Sequence, residues 1–291
     1  MEQPDVSVVV VTYNALPWLE QCLDSVRGHD VVVVDHGSTD GTVEFARTRG
    51  VRVIEQENKG MGGGNNAGMR ATDGRYYLLL NSDAWVRAGG VQRLVEFADA
   101  HPEAAVVGPK LLNPDGSLQR SVRGEPTLWR LATEYLYIRK LAPRSRRLNP
   151  LYRGDFAHDR VEAVDWLYGP ALLVRREAAD AVGLFDEDFF MFSEEVDWMT
   201  RFRRAGWSVV FFPDAEVVHV GGASHGGSLY VENLRGHLRF MAKHRGTREA
   251  ERVRRLLLWS LRLRALVLRR EDYREGVRFL SSGNVRSLLS K

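Results

Sequence analysis

The chain has 291 residues, of which 44% are hydrophobic and 27% charged, with one cysteine and a formal net charge of +3. That balance excludes a disordered or fibrous chain and permits one large folded unit, or one with an appendage. So small a charge excess makes no demand for a nucleic acid partner, and the lone Cys22 excludes an internal disulfide and suits a reducing compartment.

The acidic start, Met1-Glu2-Gln3-Pro4-Asp5, has neither the basic region nor the apolar core of a signal peptide. No apolar run is long enough to cross a bilayer, so the expected location is cytoplasmic. Val6 to Thr12 reads as a strand that ends in Tyr13-Asn14. Trp18, Leu19, Cys22, Leu23 and Val26 follow at helical spacing, with Gly28 as the stop. Val31-Val32-Val33-Val34-Asp35 is a second buried strand ending in an acid, and Val51 to Ile54 is a third. The glycine-rich stretch 58–68 is expected to be a loop opening a helix, with free N–H groups that favour an anion. Its spacing matches neither a Walker loop nor a dinucleotide fingerprint. Leu78-Leu79-Leu80 then reads as a central strand buried on both faces. It presents Asn81, Ser82 and Asp83 beyond its carboxyl edge, where open α/β sheets bind ligands. This strand–helix alternation predicts an α/β fold with right-handed crossovers and a mostly parallel sheet.

Farther along, residues 89–100 read as an amphipathic helix and 104–108 as a short strand. The segment 113–160 carries a turn signal, a helical face of Leu128, Leu131, Tyr135 and Ile138, and the basic cluster Arg144, Arg146 and Arg147. It reads equally as an insertion over a substrate site or as a surface excursion. Residues 164–174 return to strand character. A helix from Ser193 to Gly206 has Ser193 as its expected N-cap and Glu194 and Glu195 in its first turn; Asp197 and Arg201 are spaced to pair. Acids suit a helix N-terminus on electrostatic grounds alone. Val209 to Phe212 is a strand, and His219 and His225 lie beyond it. From about 229 the chain reads as helical. The arginines between 252 and 270 make a basic amphipathic face, which suits an anionic membrane surface, packing on the main domain, or a homodimer interface.

Four stretches occur in order: Val-Val-Thr-Tyr-Asn at 10–14, Val-Asp-His-Gly-Ser-Thr-Asp-Gly-Thr at 34–42, Asn-Lys-Gly-Met-Gly-Gly-Gly-Asn-Asn-Ala-Gly at 58–68, and Leu-Asn-Ser-Asp at 80–83. The series resembles the family 2 glycosyltransferases, inverting enzymes with a GT-A nucleotide-sugar-binding fold, and within them the rhamnosyltransferase-like branch. The resemblance implies a GT-A domain over 1–228, with 113–160 as an acceptor-side insertion and 229–291 as a helical tail. It implies that Thr12, Tyr13 and Asn14 line the nucleotide pocket and that Asp35 bonds the base imide. Gly64, Asn65, Asn81, Ser82, Trp166 and Gly169 would contact the nucleotide-sugar. Asp83 would bind Mg²⁺ or Mn²⁺, completed by His219 or, as a weaker candidate, His225. Glu195 is favoured as the base over Glu194. Two positions depart from the family pattern: His36 stands where Asn or Ser is usual, and Asn81 replaces the first acid of Asp-x-Asp. One carboxylate suffices for a hard cation that also binds diphosphate oxygens. The implied donor is dTDP-L-rhamnose, then a UDP-sugar, with a glycan or lipid-linked acceptor. A non-catalytic nucleotide-sugar-binding subunit is the alternative.

Overall fold

The computed structural model describes residues 5–221 and 229–290. The first half alternates β1 (Val6–Thr12), α1 (Leu16–Ser25), β2 (Asp30–Asp35), α2 (Thr42–Thr48), β3 (Arg52–Glu55), α3 (Gly60–Arg70) and β4 (Tyr76–Asn81). The valine and leucine runs form central strands because their side chains are buried on both faces of the sheet. The four strands pair in parallel in the order β3-β2-β1-β4. In that register Thr12 faces Asp35 and Val11 faces Asn81, so three carboxyl ends come level at one edge.

Next come β5 (Ala84–Val86), α4 (Gly90–Ala100), β6 (Ala104–Leu112), β7 (Leu118–Gln119), β8 (Val122–Arg123) and α5 (Leu128–Tyr135). They are followed by β9 (Glu162–Ala163), β10 (Trp166–Leu167), β11 (Ala171–Arg175), α6 (Arg176–Val182), α7 (Glu194–Arg204) and β12 (Ser208–His219). The sheet continues β4-β11-β6-β12-β5, with β11 antiparallel to both its neighbours. Four helices close the chain: α8 (Tyr230–Arg245), α9 (Thr247–Leu268), α10 (Glu271–Ser281) and α11 (Val285–Leu289).

Several local expectations are corrected. The glycine run lies inside α3, not in a loop before it. A Cβ on Gly68 would come within 2.3 Å of Val9 Cγ1, and one on Gly64 within 2.8 Å of Val11 Cγ1, so the glycines let the helix lie directly on β1. Nor are the first N–H groups of α3 free for an anion: that of Gly60 bonds Asn58 Oδ1 and that of Met61 bonds the Phe190 carbonyl. The expected strand at 104–108 runs on to Leu112. Residues 164–174 break at the turn Tyr168-Gly169-Pro170, and β12 carries strand pairing as far as His219 across an irregularity between Phe212 and Glu216. Ile138 falls in a short 3₁₀ turn after α5, because Tyr137 is left-handed at φ 59°.

Two apolar cores cover the two faces of the sheet. A third joins Leu131 and Tyr135 of α5, Val196 of α7, and Leu234, Leu257 and Leu280 of the tail. The 113–160 segment, α7 and the C-terminal helices therefore share buried surface.

Candidate active site

α7 begins at a strained turn. Phe192 and Ser193 are both left-handed, at φ 67° and 71°, and the Ser193 side chain makes no capping bond despite occupying the N-cap position. This turn aims Glu194 and Glu195 into a crevice also lined by Asn65, Asn81, Tyr168 and Gly169. Glu194 Oε2 and Glu195 Oε2 are both buried without a hydrogen-bond partner. Burial pushes the Glu195 carboxyl up to about 7, against the opposing pull of nearby backbone N–H groups and the Arg123 charge. Burial also raises Glu194 well above the ordinary glutamate value, and the Glu195 charge adds to the effect. Two carboxyls so close and so buried resist carrying two negative charges at once.

Behind these acids, Asp197 holds α7 in place. The buried Asp197 carboxylate accepts from Arg201 Nε at 2.9 Å, Lys243 Nζ at 2.7 Å and His244 Nε2 at 2.7 Å. Despite burial, these bonds bring its pKa down to about 2. Arg201 also bonds the carbonyls of Val182, Gly183 and Leu184, so the expected Asp197–Arg201 pair forms and clamps the preceding loop. α8 supplies Lys243 and His244. Its Gly236 also lies against the strained turn, where a Cβ would meet the Phe192 carbonyl oxygen at 2.6 Å.

A second group lies past the end of β4. Asp83 is buried, with Oδ1 at 3.4 Å from His219 Nε2, and Oδ2 accepts the Gly221 N–H at 3.1 Å. Burial raises the Asp83 carboxyl, but the hydrogen bond and charge of His219 outweigh it and lower the pKa. Gln119 sets the histidine tautomer. Its amide nitrogen donates to Asn113 Oδ1 at 3.0 Å and to the His219 carbonyl at 3.4 Å. Its oxygen must therefore accept from His219 Nδ1, 2.8 Å away. With Nδ1 engaged by Gln119, Nε2 is the ring nitrogen left facing Asp83. A carboxylate oxygen and an imidazole nitrogen facing one space, with the imidazole held by an outer amide, fit a divalent cation. Among the described residues no group of three or more His, Cys, Asp or Glu could hold a metal ion, so a cation held by Asp83 and His219 would draw its other ligands from further oxygens. His225 lies outside the described residues. The Tyr168 ring packs edge-on to His219 at 5.9 Å and also lines the acidic crevice, so it spans the two groups.

The third group sits at the ends of β1 and β2. Asp35 accepts four hydrogen bonds: from Thr12 Oγ1, from Ser38 Oγ, and from the N–H groups of Gly37 and Ser38. A carboxylate has about four acceptor positions. Bonding a base imide would therefore require Asp35 to exchange one of these contacts. Asn14 is left-handed at φ 50° and accepts from Thr39, and Tyr13 is exposed beside it. Ser82 is buried in the turn after β4. Gly64 is a packing glycine beneath Val11 and His36. Trp166 does not line the crevice: its indole N–H bonds the Gly124 carbonyl at 2.9 Å, and it packs between two of the cores.

The family model described as Glycosyl transferase family 2 matches residues 7–159. The N-acetylglucosaminyl-diphospho-decaprenol L-rhamnosyltransferase of Mycobacterium tuberculosis is 36% identical over 234 residues, 73% of this chain and 75% of its own length. The chain belongs to glycosyl transferase family 2. Among solved structures, a mannosyltransferase from Pyrobaculum calidifontis in complex with GDP-Man and Mn²⁺ aligns with TM-score 0.56 at 17% identity, over 100% of this chain and 87% of that one. GalNAc-T7 with UDP, GalNAc and Mn²⁺ aligns with TM-score 0.59 at 16% identity, over 82% of this chain and 48% of that one. These likenesses establish the GT-A fold of this family 2 glycosyltransferase.

Three residues around the candidate site escaped the sequence reading: Gln119, Arg123 and Tyr168. Gln119 and Arg123 lie in the segment read as an insertion, with no local pattern to mark them. Tyr168 was hidden in what looked like one continuous strand. Asn66, beside Asn65, is structural: its amide bonds both the N–H and the carbonyl of Phe185.

Proposed function

We propose that the protein transfers L-rhamnose from dTDP-L-rhamnose, with inversion, to a hydroxyl of a lipid-linked saccharide. The observation that carries this reading is the pair of orphaned carboxylate oxygens of Glu194 and Glu195 in one crevice with Asn65 and Asn81. The name of the mycobacterial relative supports the sugar and the class of acceptor.

Glu195 Oε2 takes the proton of the acceptor hydroxyl as that oxygen bonds the anomeric carbon. The bond from that carbon to the diphosphate oxygen breaks on the opposite face, and the nucleoside diphosphate leaves with the electron pair. Burial and the Glu195 charge raise the Glu194 carboxyl, which favours its protonated form beside the base. Asp83 and His219 are the residues that would hold Mg²⁺ or Mn²⁺, which when bound neutralises charge on the leaving diphosphate. Asn65 and Gly169 line the donor side of the crevice, and the Thr12–Asn14 turn with Asp35 contacts the nucleotide.

A thermal-shift panel of dTDP-L-rhamnose, dTDP-glucose and UDP-sugars, each with and without Mn²⁺, tests the assignment. The largest Mn²⁺-dependent stabilisation should come from dTDP-L-rhamnose, with dTDP release once a prenyl-diphosphate saccharide is added. A larger shift with a UDP-sugar would reassign the donor. Stabilisation by dTDP-L-rhamnose without turnover on any saccharide acceptor would favour the non-catalytic reading.

A further inference from the structure

α9 has two unlike faces. Val253, Leu257 and Leu261 are buried in the third core, and Arg264 is drawn in with them, bonding the carbonyls of Glu134 and Tyr135. The opposite face carries Trp259, 73% exposed, and Leu266, 76% exposed, together with the exposed Leu263 and Val267. At 100° per residue these four fall within about a third of the helix circumference. Arg252, Arg255 and Arg262 project through the same sector or along its margin, and Arg269 and Arg270 follow at the end of the helix; all five are exposed. Arg262 and Arg269 meet no carboxylate among the described residues. The elbow after α5, held against this end of α9 by Arg264, adds the exposed Leu136 and Leu141. Arg144, Arg146 and Arg147, exposed and without an acidic partner among the described residues, follow it in the chain.

We infer that this face docks the protein on an anionic phospholipid surface, with Trp259, Leu263 and Leu266 entering the headgroup boundary and the arginines meeting lipid phosphates. An aromatic and leucine stripe bordered by arginines, of which Arg262 and Arg269 meet no carboxylate among the described residues, is complementary to such a surface. It is not complementary to itself. A two-fold contact would set Arg262 and Arg269 against their own copies, while the nearby Glu249, Glu251 and Asp272 already hold Arg252, Arg255 and Arg270. None of the described helices is long and apolar enough to cross a membrane, so the contact is parallel to the surface. The docking helix shares its core with Val196 of α7, which ties the membrane face to the helix that presents Glu195.

The test is co-sedimentation of the full chain with phosphatidylcholine vesicles, with and without about a third phosphatidylglycerol. No sugar substrate is present, so the outcome is independent of the donor and acceptor assignments. Binding should require the anionic lipid and weaken as salt rises. The double variants Arg262→Glu/Arg269→Glu and Trp259→Ser/Leu266→Ser, all at exposed positions, should each lower the partition coefficient about tenfold or more. Brominated lipid should quench tryptophan emission in the wild type, and much less in Trp259→Phe. Failure to bind anionic vesicles at low salt, or binding unchanged by either double variant, overturns the inference. So does self-association of the wild-type chain that these substitutions abolish, since it would assign the face to a second copy.

Discussion

Glu195→Gln removes the base while keeping the size and polarity of the side chain. Loss of a positioned general base typically costs about 10²–10⁴-fold in rate. The pH profile of the wild type supplies a sharper magnitude. With the Glu195 carboxyl raised to about 7, its ionised fraction falls from about nine-tenths at about pH 8 to about one-tenth at about pH 6. Turnover at saturating acceptor should therefore drop roughly tenfold between those values, whereas an ordinary carboxylate would give a flat profile there. The assay is dTDP release at fixed ionic strength, with donor affinity followed separately by calorimetry. Burial, not the Glu194 charge, is the main cause of the Glu195 shift, so Glu194→Gln should leave the midpoint in place. The same shift acts on stability with a definite sign. Burial raises the folded-state pKa, so the stability contributed by the protonated form is full below the ordinary glutamate value and is lost as pH rises through about 7. Glu195→Gln should accordingly melt higher than the wild type at alkaline pH and level with it in mild acid. A flat rate profile, or more than about a tenth of wild-type turnover in Glu195→Gln, would refute the assignment; loss of activity in Glu194→Gln alone would transfer the role to Glu194.

Asp197→Ala strips the acceptor from Arg201, Lys243 and His244 and should cost about 3–5 kcal/mol in denaturant unfolding, as expected for breaking a buried ion cluster. Its depressed pKa makes that contribution full above the ordinary aspartate value and lost as pH falls toward about 2, so the wild type and Asp197→Ala should converge in acid unfolding. Gln119→Leu frees His219 from its fixed tautomer and should weaken Mn²⁺ binding in the presence of dTDP by about 10-fold or more, read by calorimetry. Unchanged Mn²⁺ affinity in both Gln119→Leu and His219→Ala would remove His219 from the proposed metal site.

The sequence by itself determined the alternation of apolar strands with helices and the strand-end residues Thr12, Asp35 and Asn81. It also marked the pair of acids opening α7. These are local signals: each strand is a run of β-branched or leucine residues, and each site residue sits where such a run stops. Only the tertiary structure decided what faces what. Asp35 was legible as a strand-end acid, but not the four donors that occupy its carboxylate, because Gly37 and Ser38 reach it only once their loop folds back. The glycines of α3 read as a flexible loop, and the near contact with Val9 and Val11 that demands them comes from another strand. Gln119 and His219 are 100 positions apart in sequence, and α8 braces α7 through Asp197 from 47 positions away. Periodicity is a property of neighbours along the chain; a tautomer, a shifted pKa and an exposed helical face are set by neighbours in space.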